Sequence, residues 1–280
     1  MTDIWTMGEM LVEIMRPKAA IPLDEIGPFL GPYPSGAPAI FIDTVARLGH
    51  SAGIIGAVAE DDFGRCLLKR LDADGVNTHF VMVIPERATG VAFVTYFEDG
   101  SRKFIFHIDG TPAVMAKFPP EALQGKPAFL HIMGCSLMAN DAFRAEIFSA
   151  VEAFHAAGAR ISFDPNIRSE LLGKRSLTEV IGPVLDRTAI LLPGEAELKM
   201  LSGDQRLDTS INRLFKNPNL ELIVLKRGKD GAAVYTRQEV IEASAYQVDE
   251  VDPTGAGDCF DAGFLCGLLE GKSLIECARI

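Results

Sequence analysis

The residues best suited to chemistry stand near the C-terminal end of the sequence. There Asp252-Pro253-Thr254-Gly255-Ala256-Gly257-Asp258 precedes an apolar run with Phe260, Phe264 and Leu268 at helical spacing. A Gly-Ala-Gly turn opening a helix exposes consecutive backbone N–H groups and adds the positive end of the helix dipole, which together make an anion site. Asp258, in the first helical turn, would repel a phosphate held there unless its charge has a use. That use is to accept the proton of a hydroxyl attacking a γ-phosphoryl group, while the N–H groups stabilise the developing charge. A plain helix cap is the bland alternative. The string is neither a G-x-G-x-x-G fingerprint nor a G-x-x-x-x-G-K-[ST] loop, so a dinucleotide fold and a Walker A ATPase are both disfavoured.

The elements that must position this turn follow from apolar patterning. Ile4–Met7, Gly53–Val58, Ala128–Met133, Ile161–Phe163, Ala189–Leu192 and Leu222–Lys226 read as strands, and Tyr246–Val251 as the strand leading into the turn. Most are too continuously apolar to have a wet face, as in a parallel sheet covered on both sides. Between them lie amphipathic helices. One carries Phe143, Ile147, Val151 and Phe154 and stops near Gly158; another carries Ala37, Phe41, Val45 and Leu48 and stops at Gly49. This alternation predicts a doubly wound, mostly parallel α/β sheet flanked by helices, in a single domain spanning residues 1–280. Two segments interrupt it. Pro17 to Pro38 is too rich in proline for a helix, and Gly90 to Ile108 reads as a hairpin turning at Glu98-Asp99-Gly100-Ser101. They are expected to form a small β-sheet lid, inserted at about 12–34 and 88–112. Ser273 to Glu276 is a capping box with four residues after it, from which a missing C-terminal segment is expected.

Composition narrows the function classes. The 280 residues are 48% hydrophobic and 23% charged, which fits a globular domain and excludes disorder. With 27 basic and 38 acidic residues the net charge is −11, and no basic stripe offsets it, so neither nucleic acid nor an anionic membrane is an expected partner. No apolar run reaches the ~20 residues of a membrane span, and the first residues lack a signal-peptide pattern, so a soluble, cytoplasmic protein is expected. The five cysteines are scattered without a C-x-x-C pair, and the five histidines form no H-x-x-x-H pair, so no His/Cys metal site is signalled.

At Asp252 to Phe264 the sequence resembles the C-terminal signature of the PfkB (ribokinase-like) family of carbohydrate kinases. Weaker resemblances span nearly the whole chain: Gly8-Glu9, Ser35-Gly36-Ala37-Pro38, Gly56-x-Val58-x-x-Asp61-x-Phe63-Gly64, Asp164-Pro165-Asn166-Ile167-Arg168, Glu197 in an N-x-x-E position, and Lys226-x-Gly228-x-x-Gly231. The resemblance implies an ATP-dependent sugar kinase. In it Asp258 is the general base, Gly255, Ala256 and Gly257 form the anion hole, and Lys226, Gly228, Gly231 and Asn166 belong to the ATP side. Glu197 lies on the Mg2+ side, while Asp252 and Thr254 serve a monovalent cation, K+. Glu13, Gly36, His107 and Arg168 face the sugar, and the lid pairs two subunits into a homodimer. The chain departs from the family at Ile40, where Asn is usual, at Gly194, which replaces the Asn of N-x-x-E, and at Ala59.

The general look is closest to fructokinases, tagatose kinases and 2-keto-3-deoxygluconate kinases. His107, mostly neutral at pH 7, is a weak cation for a carboxylate. A neutral ketohexose, tagatose or fructose, is therefore expected over the keto-acid. The alternatives are a 2-keto-3-deoxygluconate kinase and a non-catalytic relative that binds sugar or nucleotide.

Overall fold

The computed structural model describes residues 2–98, 101–249 and 252–280. The chain enters through β1 (Ile4–Met7), crosses to β2 (Leu11–Met15) and returns by β3 (Leu30–Ser35) into α1 (Ala37–Arg47). After β4 (Ala52–Ala59), α2 (Asp62–Ala73) and β5 (Asn77–Ile84), it makes a second excursion through β6 (Gly90–Tyr96) and β7 (Arg102–His107). Strands and helices then alternate: β8 (Phe129–Met133), α3 (Gly134–Ala139), α4 (Asp141–Ala156), β9 (Arg160–Asp164), α5 (Ser169–Leu172), α6 (Leu177–Arg187), β10 (Thr188–Leu191), α7 (Glu195–Ser202), α8 (Leu207–Leu214) and β11 (Leu222–Lys226). The hairpin β12 (Ala232–Tyr235) and β13 (Val240–Ala243) leads to α9 (Ala256–Leu269) and α10 (Leu274–Cys277).

Among the described residues the strands form two sheets. The larger has the order β13-β12-β11-β10-β9-β8-β1-β4-β5, parallel from β11 to β5, with β12 and β13 added antiparallel. Helices cover both faces, as the apolar strand runs require. Side chains alternate between them: Trp5 and Met7 join Phe143, Phe154 and Ile223 on one face, while Ile4 joins Phe41, Leu67 and Phe264 on the other. Each of these fully buried large side chains contributes roughly 1.5–3 kcal/mol. The smaller sheet has the order β3-β2-β6-β7 and is antiparallel except where β2 pairs with β6. The mostly parallel α/β fold with a small second sheet is thus the one the sequence led us to expect.

Two local readings are corrected. Tyr246 to Asp249 is irregular rather than a strand, with Tyr246 and Val248 turned to solvent; residues 250 and 251 of that reading lie outside the described residues, as do positions 99 and 100 of the hairpin turn. The Pro17–Pro38 stretch holds β3 of the small sheet expected there; the correction is at Pro38, which sits in the first turn of α1, where a missing N–H removes no helix bond. Among the described residues, no helix is long and apolar enough to cross a membrane.

Candidate active site

A cavity of about 250 Å³ opens between the C-terminal ends of the central strands and the small sheet. Its floor comes from the ends of β9 and β11 and the start of α9; its roof comes from β2, β6 and β7. This is the edge at which doubly wound sheets bind ligands. Asp164, Asn166, Arg168, Glu197, Lys226 and Asp258 make the floor polar, whereas the roof is mostly apolar, with Leu11, Ala92, Phe104, Phe106 and Ile108 beside Glu13 and Arg102.

Asp258 stands at the start of α9, where Gly255 at φ 76° ends the preceding turn. A Cβ at Gly255 would lie 2.9 Å from Ile40 Cγ2 as well, so the position is fitted to glycine twice over. The Ala256 N–H is directed to Pro253 O at 3.2 Å, whereas those of Gly255, Gly257 and Asp258 have no backbone acceptor among the described residues. The open donors of the turn are therefore these three, and Ala256 contributes shape rather than a bond. Burial pushes Asp258 up to about 7, with the nearby Asp164 charge adding to it and Lys226, Arg168 and Arg102 opposing it. A carboxyl poised near neutrality suits a general base.

The loop after β9 concentrates three polar side chains. Asp164 Oδ1 accepts the Asn166 N–H at 3.1 Å, and this turn holds Asn166 at φ 34°. Asn166 Oδ1 is buried with no partner. Glu197 reaches over from α7, accepting the N–H of Ile167 at 2.9 Å and of Gly194 at 2.8 Å, so it fastens this loop to the end of β10. Burial, then the Asp164 charge, raises its pKa. Lys226 Nζ donates to Asp164 Oδ2 at 2.8 Å, and its side chain turns into the floor of the cavity.

On the small-sheet side of the cavity Glu13 accepts the Ser35 hydroxyl at 3.3 Å through one oxygen, while the other is buried and unpartnered. Burial raises its pKa. Gly36, at φ 102°, passes so close to Glu9 that a Cβ would meet its carbonyl oxygen at 2.7 Å. Glu9 lines the cavity too, and accepts from the Cys135 thiol at 3.0 Å and from the Ser136 hydroxyl.

The structure thus gathers Glu13, Gly36, Asn166, Arg168, Glu197, Lys226, Thr254, Gly255, Gly257 and Asp258 around one cavity. It leaves others outside. His107 is exposed on the opposite face of β7 from Phe104 and Phe106, edge-on to Phe93, because strand side chains alternate; Arg102, in phase with the two phenylalanines, faces the cavity instead. Gly228 (φ 55°) and Gly231 (φ 89°) form the turn from β11 to β12, where a Cβ on Gly231 would overlap Ala243 O at 2.0 Å. The Asp252 carboxylate accepts the Thr254 N–H at 2.9 Å and the Tyr96 hydroxyl at 3.2 Å, and lines an adjoining cavity of about 470 Å³. Glu9 was read only within the Gly8-Glu9 resemblance, with no role of its own, and Asp261 was not singled out from sequence. Asp261 carried a signal, being an acid three residues after Asp258 in an otherwise apolar helix.

A mostly parallel α/β sheet with a small second sheet over its C-terminal edge, and a carboxylate at a glycine-lined helix start between them, is the arrangement of a ribokinase-like sugar kinase. The sequence pattern of the pfkB family carbohydrate kinases matches residues 1–280, and the chain belongs to that family. Fructokinase-1 of Oryza sativa subsp. japonica is 31% identical over 276 residues, covering 97% of this chain and 84% of the relative. The fructokinase of Klebsiella pneumoniae is 33% identical over 268 residues, covering 95% and 84%. A crystal structure of an Escherichia coli protein provisionally called ribokinase II, in complex with ATP and Mg2+, superposes with a TM-score of 0.92 at 39% identity, covering 99% of this chain and 89% of that one. The chain is an ATP-dependent sugar kinase.

Proposed function

We propose that the protein transfers the γ-phosphoryl group of ATP to a hydroxyl of fructose. The observation that carries this reading is the Asp258 carboxylate beside the open N–H groups of the Gly255–Gly257 turn. Asp258 takes the hydroxyl proton as the sugar oxygen attacks, and the N–H groups and the positive charge of Arg168 and Lys226 meet the charge that develops on the phosphoryl oxygens. The orphaned oxygen of Glu13 and the Glu9 carboxylate accept hydrogen bonds from sugar hydroxyls, which suits a polyol. Gly228 and Gly231 border the nucleotide. The apolar roof keeps water from competing for the phosphoryl group.

The unpartnered Asn166 Oδ1 and the carboxylates of Asp164 and Glu197 are hard oxygen donors on one side of the cavity. They are too few for an all-protein cage and fit Mg2+ held largely by phosphates and water. When bound there, Mg2+ neutralises charge on the transferring phosphate. The Asp252 and Thr254 side chains are bonded to each other's loop and to Tyr96, so K+ would have to act through backbone carbonyls.

Fructose is supported by the names of the relatives and by the acidic sugar-facing side chains. Arg102 and Arg168, both lining the cavity, favour a second reading in which 2-keto-3-deoxygluconate is the acceptor. ADP release with Mg-ATP across fructose, tagatose, ribose and 2-keto-3-deoxygluconate separates them. Highest kcat/KM with fructose is expected; highest with the keto-acid transfers the assignment. Homodimerisation is proposed through the outer face of the small sheet, where Phe29, edge-on to Phe93, and Ile105 are each about two-fifths exposed. Light scattering at a monomer mass would contradict it.

A further inference from the structure

Beneath the cavity, one ammonium group is shared by two acids from different elements. Lys226 Nζ, at the end of β11, donates to Asp164 Oδ2 at 2.8 Å and lies 3.1 Å from both oxygens of Asp261. Asp164 lines the cavity. Asp261 does not: it is fully buried on α9, one turn beyond Asp258. Its neighbours on that helix are Phe260, Ala262, Gly263 and Phe264, a setting in which an apolar side chain would pack without the cost of desolvating an acid. Held from below, the Lys226 ammonium is still close to the anion turn, since a Cβ on Gly257 would lie 3.6 Å from Nζ.

We propose that Asp261 is a positioning residue for phosphoryl transfer: it clamps Lys226 against Asp164, keeping the ammonium beside the Gly255–Gly257 turn and off the Asp258 carboxylate. The proposal rests on the kinase reading above. Lysine is a flexible point charge, and a single carboxylate leaves its direction open. A second acid on the α9 side fixes it, and because Asp261 and Asp258 share one helix, the base and the clamp move as one body. The charged or titratable groups facing Asp258 are Asp164, Arg168, Lys226, Arg102, Asp261 and the Cys135 thiol. Of these, Lys226 is the one that Asp261 restrains.

The test compares Asp261→Asn with Asp261→Leu in the full chain, by ADP release at saturating Mg-ATP over a range of pH. Asparagine keeps an acceptor for the Lys226 ammonium in its side-chain carbonyl. It should keep kcat within about threefold. Leucine has no acceptor. It should lose at least about tenfold in kcat with the sugar KM changed by less than about threefold, and its acid limb should move to lower pH, because the released ammonium favours ionised Asp258. If Asp261→Leu does not unfold cooperatively, Asp261→Ala, which leaves space rather than a clash, carries the same expectation. A folded Leu or Ala variant with wild-type kcat and acid limb overturns the proposal, as does an Asn variant that loses as much as Leu. Absence of sugar-dependent turnover in the wild type would refute the kinase reading instead.

Discussion

At the residue scale, Asp258 meets two opposed demands. It must be buried to face the phosphoryl group away from water, and it must be ionised to accept a proton. Burial pushes it up to about 7. As a base it works when deprotonated, so kcat/KM is expected to be full above neutrality and to fall as pH drops through about 7; a profile flat down to pH 5 would contradict this. The same shift affects stability with the opposite sense. Because the folded value lies above the unfolded one, the fold favours the protonated form, and that contribution is lost as pH rises through about 7. Asp258→Asn should therefore raise Tm on the order of 5 °C at pH 8 and far less near pH 5. Equal Tm changes at both would speak against a strained carboxylate. Asp258 was legible in the sequence because its partners are consecutive residues in one turn. The Lys226–Asp164 pair was not, because its members are 62 residues apart and meet only through the order of the strands. The choice between Arg102 and His107 was likewise closed to reading, since it depends on the phase of β7 about its strand axis.

At the element scale, the site depends on how closely the strand ends and loops approach. A Cβ on Gly134, at the start of α3, would lie 1.9 Å from Pro165 O. That carbonyl belongs to the loop carrying Asp164, Asn166 and Arg168. Gly134→Ala should cost about 1–3 kcal/mol by overpacking and reduce kcat with it. Gly158→Ala, at φ 92° with nothing near its Cβ, should cost about 1 kcal/mol and leave kcat unchanged. Denaturant unfolding and kinetics on both variants check the contrast; equal kinetics would mean that the loop is not held by this contact. The central strands were readable because both faces are buried and the apolar runs are unbroken. β5, with its mixed burial at the sheet edge, was missed for the converse reason, having no clean period, and the proline-bearing β3 was expected in the small sheet without bounds of its own.

At the scale of the whole molecule, the small sheet and the α/β body meet across the cavity, and Tyr96 ties them together. From the end of β6 its hydroxyl donates to Asp252 Oδ1 and touches Thr254 Oγ1, in the loop that leads to Asp258. Tyr96→Phe removes the tie without removing the ring. The sugar KM should rise several-fold with stability altered by no more than about 1 kcal/mol. An unchanged KM would mean that the roof is held by packing alone.

The most direct measurement is sugar-dependent ADP release by Asp258→Asn against the wild type, with near-UV circular dichroism confirming the fold. A fall of roughly 10²–10⁴ in kcat is expected from losing the base. Turnover by the folded variant within about tenfold of the wild type would contradict the assignment of proton abstraction to Asp258.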